Sequence, residues 1–89
     1  MQIDLDDFYE LIAVGKETKQ RLTEWTVGVD AYRNILNEAN VNPQIEVTAE
    51  RELLIFYIPV ISSIQLPKNR VILRSGKNTL GAFDLKLED

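Results

Sequence analysis

Neither cysteine nor histidine occurs among the 89 residues. Disulfides, thiolate nucleophiles and imidazole catalysis are excluded at once, together with the usual zinc, copper and haem ligand sets. No cofactor and no metal site is expected. Lack of cysteine suits a reducing compartment, although a particle stable without disulfides would also fit. Long apolar runs are missing too. The most extended, Leu53 to Ile58, reaches Ile61 only across Pro59, about half of the ~20 residues that span a bilayer. The acidic start at Asp4, Asp6, Asp7 and Glu10 is unlike the basic opening of a secretory signal. A protein of the cytoplasm or of a viral particle, without membrane contact, is expected.

Positive charge is also in deficit. Ten Lys/Arg against fourteen Asp/Glu give a net charge of −4. Nucleic-acid binders gain affinity by neutralising several phosphates from a concentrated basic surface, so nucleic acid is disfavoured as a partner. The imbalance is local: residues 1–52 hold eleven of the acids, whereas Leu53 to Phe83 contains none and carries Lys68, Arg70, Arg74 and Lys77.

What is present is periodicity. Phe8, Gly15, Leu22, Val29 and Leu36 form one series of seven-residue steps, and Leu11, Thr18, Trp25, Tyr32 and Ala39 form another. The alternating spacing predicts one apolar stripe along a helix. Asp4, with Asp7 three residues on, suits the helix start, while Asn42 and Pro43 suit its end. Gly15 and Gly28 lie between, and the polar stretch at 15–20 makes Gly15 the expected break. After Pro43 the period becomes two: Ile45 and Val47, then Val71 and Leu73, then Phe83, Leu85 and Leu87 alternate with polar residues. Leu53 to Ile58 lacks polar alternate positions, as expected of one central strand covered on both faces. The fold expected is α+β, in one domain over 1–89. A long N-terminal amphipathic helix, continuous or broken at Gly15, fills 1–42, and a small antiparallel sheet of four or five strands fills 43–89.

A helix over residues 4–39 would be about 54 Å long, against the ~17–20 Å covered by a typical strand. The overhanging stripe would then need a partner. Leu22, Trp25, Val29, Tyr32 and Leu36 are accordingly the expected homo-oligomer interface, a coiled coil or wider bundle. The function expected is that of a non-enzymatic structural or adaptor protein that self-associates through its helical region and presents a small β domain to other proteins. By architecture alone this resembles the helix-then-β subunits of viral fibres and small accessory proteins.

The alternative is a regulatory or inhibitory protein acting through the acidic helix or the basic 68–77 hairpin. Lys68, Arg70, Arg74 and Lys77 could meet an anionic partner, or could simply blunt an edge strand. The Gly76-Lys77 pair is not a phosphate-binding loop, because Val71 stands where the leading Gly belongs and Asn78 where Ser or Thr belongs. The carboxylate pairs Asp6/Asp7, Glu50/Glu52 and Glu88/Asp89 fall where solvated charges are ordinary, and no catalytic residue is assigned.

Overall fold

The computed structural model describes residues 2–88, and it replaces the long helix with two short ones separated by a strand. In chain order the elements are β1 (Gln2–Ile3), α1 (Asp6–Glu17), β2 (Glu24–Val27), α2 (Val29–Glu38), β3 (Ile45–Val47), β4 (Leu53–Ile55), β5 (Ile58–Ser62), β6 (Arg70–Ser75), β7 (Asn78–Asp84) and β8 (Leu87–Glu88). β1 and β8 pair as a separate two-stranded ribbon. The main sheet has six strands in the order β3-β4-β5-β2-β6-β7. It is mixed rather than antiparallel, since β2 runs parallel to β5, with Trp25 opposite Val60 and Val27 opposite Ser62.

The helix stops early for a reason that Gly15 does not supply. Gly15 lies inside α1, and the stop comes four residues later, where Lys19 adopts φ +56°. The Gln20 N–H donates to the Gly15 carbonyl at 2.9 Å and the Lys19 N–H to the Lys16 carbonyl at 3.1 Å. This is the Schellman ending, normally built around glycine. Here lysine fills that position, and the composition signal for a stop is lost.

The seven-residue series then continues by coincidence through a strand. Trp25 and Val27 point into the core and Glu24 and Thr26 point away, so a period of two satisfies the positions as well as a helix would. α2 begins at once after Gly28, whose close approach to the loop before β6 leaves no room for a side chain: a Cβ there would lie 2.0 Å from the Pro67 carbonyl oxygen. The α2 N-terminus has no side-chain cap. Instead the Lys68 carbonyl accepts from the Asp30 and Ala31 N–H groups, at 3.0 and 2.9 Å, satisfying two donors that a helix start leaves open.

The expected central strand over Leu53 to Ile58 is in fact two strands, β4 and β5, joined at Phe56 and Tyr57. Both turn residues have positive φ, +52° and +65°. Such two-residue turns suit the twist of paired strands but ordinarily use Asn-Gly.

One face of the sheet carries Trp25, Val27, Ile55, Val60, Val71 and Leu73, and these join Phe8 of α1 and Ala31 and Ile35 of α2 in a single core. The Phe8 ring stands edge-on to both Trp25 and Phe83, at centroid separations of 5.0 and 4.8 Å. Gly81 of β7 lets α1 lie close, because a Cβ there would meet the Leu11 side chain at 2.3 Å. At about 18 and 15 Å, α1 and α2 match the sheet in length. No overhang remains, and the coiled-coil expectation fails with it. Among the described residues no helix is long and apolar enough to cross a membrane.

Candidate interaction surfaces

The five expected interface residues go to three places. Trp25 lies in β2 with no exposure at all, packed against Phe8 and donating its indole N–H to the Ile55 carbonyl at 3.2 Å. It is a core residue that no second copy reaches. Leu22 lies in the α1–β2 connection, partly buried against the core. Val29, Tyr32 and Leu36 stay together on one face of α2, since three- and four-residue steps return to the same side of a helix. Val29 is 37% exposed and Leu36 42%. With Arg33 and with Ser62 at the end of β5 they line an open groove of about 290 Å³.

The four basic residues are likewise divided. β6 lies between β2 and β7, so Arg70 and Arg74 guard no edge. Both belong to the sheet face opposite the core. Arg70 Nε contacts Asp84 Oδ1 at 2.7 Å, its cross-strand neighbour on β7. Arg74 stands opposite Glu24 and donates from Nε to Thr26 Oγ1 at 3.0 Å, while that hydroxyl donates to Glu24 Oε2 at 2.6 Å. These two guanidinium groups are occupied within the sheet. Lys68 and Lys77 remain at exposed turns, apart from the arginines in role.

The carboxylate pairs noted in the sequence lie in separate places among the described residues. Asp4 Oδ1 accepts from the Asp6 N–H at 2.9 Å, and Asp7 stands 3.9 Å from the Lys86 ammonium. Glu50 and Glu52 are exposed around the β3–β4 turn. The Glu88/Asp89 pair lies outside the described side chains. Among the described residues no group of three or more acidic side chains is gathered that could hold a metal ion.

A third surface carries no sequence signal. Tyr9, on the outer side of α1, stacks at a tilt on Phe56 with ring centroids 4.5 Å apart. Tyr57 follows, 81% exposed at the tip of the β4–β5 turn. Between them lies a cleft of about 350 Å³, also lined by Ile12, Lys16 and Leu22. Holding a bulky residue at positive φ costs on the order of 1–2 kcal/mol, and here two such residues are consecutive. A pattern of hydrophobicity cannot reveal this site, because its members come from α1, from the connection after it and from a turn that resembled strand. A broader depression of about 580 Å³ is walled by one stretch of chain, residues 39–47, from the end of α2 into β3.

Comparison of the chain with protein-family models, curated proteins and solved structures gives no match.

Proposed function

We propose that the protein is a non-enzymatic adaptor that pairs with a second copy of itself through the outer face of α2 and offers its remaining surface to other proteins. The observation that carries this reading is the set of exposed Val29, Arg33 and Leu36 beside half-buried Tyr32, which together line one groove. Its order is self-complementary. If two α2 helices lie antiparallel about a two-fold axis between positions 32 and 33, Val29 of each copy meets Leu36 of the other. Tyr32 then faces Arg33, so that a guanidinium lies against an aromatic ring. Two-fold contacts of this isologous kind are the commonest form of self-association.

A helix of about 15 Å supplies only part of the roughly 800 Å² per partner buried in a stable interface. Association at micromolar rather than nanomolar concentration is the expectation. The non-enzymatic part of the reading is supported by the lack of His and Cys and by the dispersal of the carboxylates. Light scattering over a concentration series tests the pairing. Wild type should rise from 10.2 kDa towards twice that mass, and Leu36→Asp, at an exposed position, should stay folded and monomeric. A wild-type mass fixed at 10.2 kDa at every concentration would refute it.

A further inference from the structure

We infer that the cleft between α1 and the β4–β5 turn is a binding site for a polypeptide segment that presents an apolar side chain next to a carboxylate. The site is separate from the α2 face and uses none of its residues. Its floor is apolar, formed by Ile12 and Leu22, and its walls are the Tyr9, Phe56 and Tyr57 rings. Such walls accept an aliphatic or aromatic side chain while the two tyrosine hydroxyls stay wet, which is why tyrosine is enriched where proteins meet.

The nature of the occupant follows from exposure and charge. Tyr57 is 81% exposed and Tyr9 51%, so these walls cannot enclose a small molecule to the 70–90% typical of ligand pockets. Their burial needs a surface that closes over them, as a partner chain does. Lys16 forms no ion pair among the described residues. It is the one Lys, Arg, Asp or Glu in the cleft lining. Charge therefore sets a direction: the apolar side chain enters between the tyrosines and the carboxylate lies towards Lys16. The cleft lining holds no acid, cysteine, histidine or serine, and the site recognises rather than reacts.

The turn adds an independent argument. Tyr57 occupies a backbone conformation that glycine would hold without strain, and it leaves its ring almost wholly in water. Contact with a partner would account for that choice.

The test uses the full chain and synthetic nonapeptides with a central Leu, Phe or Trp flanked by Glu, Gln or Lys, followed by amide and side-chain NMR shifts. Glu-flanked peptides should shift Tyr9, Lys16, Phe56 and Tyr57, and should bind about tenfold more tightly than Lys-flanked ones. Lys16→Glu should invert that preference. Tyr57→Gly should weaken binding by at least about tenfold, the loss typical of a buried aromatic anchor, with the spectrum of the core unchanged. Absence of shifts in the cleft at about 1 mM peptide, a range that detects the weakest specific contacts, would overturn the inference. Equal binding of all flanks, or binding untouched by Tyr57→Gly, would do the same. If the cleft instead receives a second copy of the chain, Tyr57→Gly rather than Leu36→Asp will abolish the concentration-dependent mass, and the peptide assignment falls.

Discussion

The indole Nε1 of Trp25 donates to the backbone carbonyl of Ile55 at 3.2 Å, a bond that reaches past β5 to tie β2 to β4. The ring is fully buried and packs on Phe8. Trp25→Phe keeps most of the apolar contact and leaves the Ile55 carbonyl without that donor, at a cost of about 1–3 kcal/mol. Trp25→Ala should cost about 3–5 kcal/mol, a large share of the ~5–15 kcal/mol available to a small domain. Urea denaturation measures both. Dissociation of a dimer without loss of stability in Trp25→Phe would contradict the placement of this residue in the core.

Gly28 joins β2 to α2 beneath the loop at Pro67 and Lys68. A methyl group there meets backbone, 2.0 Å from one carbonyl oxygen and 2.5 Å from the next, and backbone cannot rotate aside as a side chain can. Gly28→Ala should destabilise by at least about 2 kcal/mol, within the range for strained or overpacked sites. Hydrogen exchange should quicken at the Asp30 and Ala31 amides, which depend on the Lys68 carbonyl.

Tyr57→Gly removes a β-turn strain and few buried contacts. It should raise stability by about 1 kcal/mol and the melting temperature by roughly 4–8 °C for a domain of this size. Calorimetry reads the sign directly. A fall in melting temperature would mean that the contacts of the Tyr57 ring outweigh the cost of its backbone.

The basic residues of 68–77 should respond differently from one another. Arg74→Glu places a carboxylate opposite Glu24 and removes the donor to Thr26. Like charges directly across a strand pair, with one lost hydrogen bond, cost about 1–2 kcal/mol. Lys77→Glu, at an exposed turn, should fall within about 0.5 kcal/mol of wild type. Denaturation midpoints of the two single variants separate these outcomes, and equal effects would contradict the cross-strand arrangement.

Legibility of the sequence varied with how far each signal depends on local chemistry. The alternation at Val71 and Leu73 falls on β6, where those two side chains are buried and the pattern states it; that at Ile45 and Val47 falls on β3 although Val47 is exposed, and that from Phe83 to Leu87 is divided between β7 and β8. The helix boundary was illegible because Lys19 performs the turn that glycine usually marks. The strand at 24–27 hid inside a seven-residue series, since a four-residue strand and a helical stripe can share Trp25 without contradiction. The Phe56-Tyr57 turn was illegible for the same reason as the Lys19 stop: residues that favour strand hold a conformation they disfavour. Val29, Tyr32 and Leu36 keep the common face that their spacing implied, but over one short helix. The aromatic cleft assembles only when α1 and the β4–β5 turn are brought together in space.

The central claim is that two copies meet through antiparallel α2 helices, and the absence of native cysteine permits a direct geometric measurement. Val29→Cys and Leu36→Cys are prepared separately, mixed under mild oxidation and resolved by mass. The account predicts that disulfide forms fastest between Val29→Cys of one copy and Leu36→Cys of the other, ahead of either variant alone, and that Leu36→Asp suppresses it when introduced into the Val29→Cys chain. Equal rates in the mixed and unmixed samples, or rates that do not depend on Leu36, would contradict it.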